Sequence, residues 1–279
     1  MTPHALKTSS IIIRPTQGWK FVNIREIVQY KDLLYFLVVR GIKAKYAQSV
    51  LGVGWAVIQP LVSTLIFTLV FGSIAKVRSD GVPYFIFSLT AMVPWTYFSN
   101  TLNESASSLI SNVNLITKVY FPRLVLPLSA AFSKILDFLI TLILLVIILI
   151  IYRFPFTMEL MILPLLLVIL LLTSLGIGLW LSAMAVQYRD IKHALTFLTQ
   201  LLMYLAPVVY PTSSVPARFL FWYSLNPMVG VIEGFRSVFL HHQPMPWSFI
   251  LNGVVVSVLL FISGAFYFRK MEKNFADIA

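Results

Sequence analysis

Cysteine is absent from the 279 residues, which excludes disulfides and thiolate metal sites and leaves the redox compartment open. Charge is scarce as well. Asp, Glu, Lys and Arg supply 11% of the chain, against about 25% in an ordinary soluble domain, while hydrophobic residues reach 59%. The ten carboxylates are scattered, and the chain contains no Gly-x-x-x-x-Gly-Lys-Ser/Thr phosphate loop, no His-Glu-x-x-His and no Asp-x-Asp. Nucleotide hydrolysis and zinc proteolysis therefore lack their residues. His241 and His242 are adjacent, point about 100° apart on a helix and make a poor metal pair. No catalytic residue, metal site or cofactor is expected in this chain.

What remains is apolar sequence in long runs, with a mean hydropathy of +0.88. An all-α integral membrane protein follows, because an open strand edge in lipid leaves backbone groups unpaired at several kcal/mol each. Six spans can be placed in the gaps between charges, since about 20 residues cross the hydrocarbon. They lie between Lys45 and Lys76 with a non-helical start near Gly52 and Gly54, over 81–103, over 138–152 with its helix starting near Leu124, over 160–188, from Ala194 onward, and over 248–268.

The net charge of +11 does not indicate nucleic acid, because the basic residues cluster beside apolar runs in the manner of cytoplasmic membrane flanks. Placing the N-terminus inside puts fifteen Lys/Arg in the cytoplasm: eight through Lys45, then Lys118, Arg123, Arg189, Lys192, Arg269, Lys270 and Lys273. Five fall outside: Lys76, Arg78, Arg153, Arg218 and Arg236. Both termini are expected in the cytoplasm. No signal peptide is expected either, because the first apolar stretch, 11–13, is too short, so the first span directs insertion.

Four polar or broken segments stand out. Asn23 and Glu26 match an N-cap and N3 pair, and Ile27, Tyr30, Leu34 and Leu37 follow at helical spacing. This reads as an amphipathic helix in the cytoplasmic interface, or as a plain positive flank; the apolar run 33–39 favours the helix. Residues 104–123 turn from polar to Tyr-Phe-Pro-Arg, with Ser111, Asn112 and Asn114 able to cap a short helix that Pro122 stops. A docking helix and an ordinary loop both fit. Lys134 and Asp137 are three apart in the third span and are expected to pair with each other, because an isolated charge in hydrocarbon costs at least about 2.5 kcal/mol; a role in transport is the alternative. Finally, Pro207, Pro211, Pro216 and Pro227 interrupt apolar pieces too short to cross. Residues 215–240 read as a re-entrant pair of broken helices before the last span, or as a surface loop with two interfacial helices. Glu233 and Arg236 can pair within it, and Gly230 with Gly234 fits a small-xxx-small packing pattern.

Several strings together resemble a known family. Residues 40–55 (Arg-Gly-Ile-Lys-Ala-Lys-Tyr-Ala-Gln-Ser-Val-Leu-Gly-Val-Gly-Trp) with Gln59-Pro60, 118–123 (Lys-Val-Tyr-Phe-Pro-Arg), Tyr188-Arg189-Asp190 and 225–236 (Leu-Asn-Pro-Met-Val-Gly-Val-Ile-Glu-Gly-Phe-Arg) occur in order and at family spacing. They resemble the permease subunit of type-2 ABC exporters of bacterial surface polysaccharides, the O-antigen and teichoic acid group. The chain departs from the family at Gly41, commonly aspartate, and at Ala206, frequently serine.

The resemblance implies a homodimer of six-helix permeases in the bacterial cytoplasmic membrane. Its translocation path would lie at the dimer interface, with two separate ATPase subunits carrying ATP and Mg. The expected substrate is a polyprenyl-pyrophosphate-linked glycan, with membrane lipid as surroundings and no nucleic-acid partner. The implied organisation is a cytoplasmic segment 1–45, a transmembrane domain 46–268 and a cytoplasmic tail 269–279. Within the transmembrane domain, 104–123 is the coupling element, with Leu115, Ile116 and Lys118 as its ATPase contacts. Leu51 and Gly52 would guard substrate admission, and Arg40, Lys43 and Lys45 are the cations placed to meet the diphosphate. Asn226, Pro227, Glu233 and Arg236 mark the re-entrant segment.

A glycan path suits aromatic rings, whose faces take pyranose C–H groups while the hydroxyls stay wet. Phe67, Phe71, Tyr84, Trp95, Tyr97, Tyr204 and Tyr210 are the candidates, although interface belts and lipid-facing filler use the same residues. Export of a small molecule, drug or other glycolipid is the alternative within the same superfamily; a membrane enzyme or scaffold is the remaining class.

Overall fold

The structure is a computed structural model and describes residues 24–47, 49–155, 157–188, 190–241, 243–272 and 275. Asn23, Gln48, Arg189, His242 and Lys273 of the sequence reading lie outside these residues. All regular elements among the described residues are helices: α1 (Ile24–Gln29), α2 (Lys31–Tyr46), α3 (Gly54–Phe67), α4 (Tyr84–Ser108), α5 (Val113–Lys118), α6 (Val125–Ser133), α7 (Ile135–Ile151), α8 (Leu163–Gln187), α9 (Ile191–Leu205), α10 (Leu220–Ser224), α11 (Pro227–Leu240) and α12 (Trp247–Met271).

Four helical stretches are long and apolar enough to cross a membrane: Gly54–Ile74, Val125–Ile151, Met158–Gln187 and Trp247–Met271. They coincide with the first, third, fourth and sixth expected spans. The other two differ in character. At 25 residues α4 has the length, but its last turns carry Asn100, Asn103, Glu104 and several serines, and most of the helix is buried in the bundle. It touches α3, α6, α7, α8, α9 and α11 and is the central post of the fold. The stretch expected as the fifth span holds the 15-residue α9, about 22 Å long at 1.5 Å per residue and shorter than the about 20 residues a crossing helix needs.

Alternating chain direction brings the described ends of the chain together. Glu26 of α1 lies 4.0 Å from Arg269 of α12, and Leu37 of α2 joins Phe268 and Phe275 in one apolar cluster. This is termed the proximal end; the 75–83 turn, His241 and the start of α12 form the distal end. Helices α8 and α12 form a glycine-mediated contact. A Cβ at Gly176 would stand 2.6 Å from the Leu260 backbone, and one at Gly264 would collide with the Gly176 carbonyl.

Local chemistry accounts for the breaks. Gly52 adopts φ +48° in the turn before α3, a conformation that glycine adopts without penalty. Past α3 the helix widens to π winding over Thr68–Ile74, where Gly72 lies against the Tyr84 ring with no room for a Cβ. Asp80 and Gly81 turn the chain through positive φ into α4. The α10–α11 pair folds back at Leu225 and Asn226; the Asn226 side chain accepts from the Met228 N–H at 3.1 Å, and Pro227 occupies the first turn, as an N-cap followed by N1 proline should. The tip reaches α12, where Asn252 donates to the Ser224 hydroxyl at 3.0 Å.

Candidate functional site

At the proximal end, α2 packs on α6 and passes close to the 104–112 segment. Between them lies a polar cavity of about 190 Å³ lined mainly by Arg40, Glu104, Ser108, Ser111, Asn112 and Ser133. The Arg40 guanidinium reaches the Asn112 side-chain oxygen at 3.4 Å. Gly41 faces this space, with the Ser133 side chain 3.3 Å from where its Cβ would stand. An aspartate here would crowd Ser133.

The expected Lys134–Asp137 pair does not form. The chain breaks between α6 and α7 at Lys134, so the two residues do not share one regular helical face. Lys134 instead meets Glu104 at 3.2 Å. Asp137, 7% exposed, is taken by the end of α2: Lys45 Nζ lies 2.5 Å from Oδ2, and the Tyr46 hydroxyl donates to Oδ1. Burial, and then the hydrogen bond to Asp137, pushes the Tyr46 phenol up, so it acts as a neutral donor. A cation and a hydrogen-bond donor together satisfy the one carboxylate of α7.

The three cations proposed for a diphosphate therefore differ. Arg40 lines the cavity, Lys43 is exposed, and Lys45 is engaged with Asp137. Leu51 is exposed and Gly52 half-buried in the turn beyond.

The 104–123 segment holds a 3₁₀ turn at Ile110–Asn112 and the six-residue α5, as the sequence suggests. Asn112 occupies the N-cap position, but its side chain donates back to the Ser108 carbonyl at 2.8 Å rather than capping α5. Leu115 is half-buried and Ile116 is 9% exposed, both turned to the cluster around Leu37 and Phe268. Thr117, Lys118, Val119 and Tyr120 face outward.

At the distal end, Glu233 and Arg236 pair at 3.0 Å as expected. Their surroundings were not legible. Glu233 accepts from the Thr212 N–H at 3.1 Å and from its hydroxyl at 2.6 Å. The Arg236 guanidinium donates to the carbonyls of Val208 and Tyr210 and lies 3.5 Å from the Phe87 ring centroid. Ser213 donates to Asp80 at 3.0 Å. The knot ties α11 to α4 and to the proline-broken stretch after α9.

The aromatic candidates separate by position. Trp95 and Tyr97 are buried in the core of the chain, with the Tyr97 hydroxyl on the Ala131 carbonyl at 3.2 Å. Tyr84 is buried and donates to the Val209 carbonyl at 2.6 Å. Phe67 and Phe71 are half-buried and in edge contact; Tyr204 is exposed, and Tyr210 donates to its carbonyl at 2.8 Å. Apolar residues are exposed along α3 (Ile58, Val62, Leu65, Leu69 with the π turn) and α9 (Phe197, Leu201, Tyr204).

Comparison with known proteins gives a consistent relationship. The family profile described as ABC-2 type transporter matches residues 32–240. The O-antigen export system permease protein RfbA of Myxococcus xanthus is 30% identical over 257 residues, which cover 91% of this chain and 98% of that protein. An RfbA of Klebsiella pneumoniae is 27% identical, covering 88% and 95%. The polysialic acid transport protein KpsM of Escherichia coli is 26% identical, covering 85% and 92%.

Proposed function

This chain belongs to the ABC-2 type transporter family, and from that premise we propose that it is the membrane subunit of an ATP-driven exporter in the bacterial inner membrane. Its cargo is a polyprenyl-pyrophosphate-linked polysaccharide of O-antigen type. The observation that carries this reading is near full-length similarity to proteins named as permeases of O-antigen export and as a polysialic acid transport protein.

In this reading the proximal end is cytoplasmic, in keeping with the excess of Lys/Arg beside it. Helix α4 and the α9 region complete six crossings, and the α10–α11 hairpin dips into the outer leaflet, where protein covers its backbone. The chain supplies no nucleotide chemistry, so two copies of a separate ATPase act on the 104–123 element. A second permease covers the exposed faces of α3 and α9, and the glycan passes between the two copies near Phe67, Phe71, Tyr204 and Tyr210. Trp95 and Tyr97 serve packing within each copy. Arg40 and Lys43 meet the diphosphate beside the Leu51-Gly52 turn, while Lys45 anchors the end of α2.

Deleting the gene and extracting lipid-linked glycan tests the reading. Polymer that accumulates in the cell while the surface loses it supports export; loss of synthesis points to an enzyme, and an unaltered surface polymer points to a different cargo.

A further inference from the structure

Three stretches far apart in sequence converge on the end of α12. Glu272 Oε1 accepts from the Arg123 backbone N–H at 3.2 Å, across 149 positions of sequence. The Glu272 carbonyl accepts from the Arg123 guanidinium, and the other carboxylate oxygen pairs with Arg269 one turn earlier. Arg269 in turn reaches Glu26 of α1 at 4.0 Å. Below the polar contacts, the Phe275 ring lies 5.9 Å from the Arg123 guanidinium and packs edge-on against Phe268, both rings almost fully buried. Tyr120 belongs to the same neighbourhood: partial burial and then the carboxylates of Glu26 and Glu272 push its phenol up, with Arg269 opposing.

The mechanical setting gives the cluster its meaning. Helix α5 has six residues and ends at Val119 in extended backbone, too short to hold its own position. Residues 119–124 have no helix ladder, and they meet the end of α12 through Arg123. Helix α12 lies against α8 through the Gly176 and Gly264 backbone contact, and α8 packs on the central α4. A displacement of the 104–123 element thus reaches the bundle as a rigid push on α12 if Glu272 is intact. Without the carboxylate the Arg123 N–H loses its acceptor and Arg269 its partner, and the joint keeps only the guanidinium–carbonyl contact and the apolar packing of Phe121 and Leu124.

We propose that Glu272 is a positioning residue for coupling, the joint through which movement of the 104–123 element is delivered to the last membrane helix. This rests on the reading of that element as the ATPase contact. Carboxamide at this position keeps an acceptor for the Arg123 N–H; alanine removes it.

The test uses the full permease with its ATPase in native membranes, comparing Glu272→Ala, Glu272→Gln and the gene deletion. For Glu272→Ala, surface polymer per membrane-inserted, ATPase-bound permease is expected to fall about tenfold or more, the scale of a lost coupling free energy. Glu272→Gln is expected to restore at least about half of the polymer, because the Arg123 contact survives. Surface polymer from Glu272→Ala within about twofold of the parent overturns the proposal, as does permease abundance that falls in step with the polymer. If the deletion itself leaves the surface polymer intact, the export reading fails independently of Glu272.

Discussion

Lys45 and Asp137, separated by 92 positions, meet at 2.5 Å and fasten the end of the first long helix to the start of α7. The pair makes the three neighbouring cations inequivalent. Lys45→Ala strands a buried carboxylate and is expected to destabilise the chain by about 1–3 kcal/mol, read as a lower Tm in detergent. Lys43→Ala, at an exposed position, leaves Tm unaltered. Adding Asp137→Asn to Lys45→Ala recovers part of the loss, because the carboxamide needs no cation. Equal Tm values for the two lysine variants would contradict the assignment.

The α8–α12 contact predicts a steep size dependence. Gly264→Ala forces a methyl group into the Gly176 carbonyl, and overpacking of this kind costs about 1–3 kcal/mol; Gly264→Leu prevents the close approach altogether. Gly54→Ala is the matched control, since its Cβ would meet only the Leu51 side chain, at 3.8 Å. Monodispersity on size-exclusion chromatography separates these cases.

At the distal knot, removing one member should be worse than removing both. Arg236→Met leaves Glu233 with the Thr212 N–H and hydroxyl but no cation, at an expected cost of about 3–5 kcal/mol. The double change Arg236→Met with Glu233→Leu recovers the part due to the unpaired carboxylate, while the Thr212 N–H and hydroxyl and the Val208 and Tyr210 carbonyls stay without these partners. Arg236→Lys does not substitute, because a single ammonium cannot reach two carbonyls, a carboxylate and the Phe87 face together. Protease resistance in membranes reports the order.

The coupling segment has an inner and an outer side. Ile116→Ala removes a buried side chain and lowers stability by about 2–5 kcal/mol. Lys118→Glu and Val119→Asp alter only the outward side; they should leave Tm within about 0.5 kcal/mol of the parent on the stability scale while reducing co-purification of the ATPase. If the outward changes leave the complex intact, the docking face lies elsewhere.

Much of the helix order was legible because charge gaps and proline positions report it directly. The Gly52 turn, the helix start near Leu124 and the Glu233–Arg236 pair follow from local rules. The partners of Asp137 were not legible, because a one-residue break at Lys134 sends that lysine to Glu104, and helical spacing carries no sign of the break. Gly176 and Gly264 were missed because each glycine is unremarkable alone; the contact exists only once α8 and α12 are adjacent. Ring chemistry suits Trp95 and Tyr97 to a sugar path, whereas α4 turns both into the core. Asn23 and Arg189 lie outside the described residues.

On the proposed reading this chain, driven by its ATPase, carries lipid-linked glycan across the membrane. Inverted inner-membrane vesicles test it most directly, loaded with the lipid-linked glycan fraction extracted from the deletion strain and treated with periodate from outside. ATP is expected to make the glycan progressively resistant to periodate in vesicles containing this permease and its ATPase, and not in vesicles lacking the permease. Protection that is equal without the permease, or absent with ATP in the complete system, would contradict it.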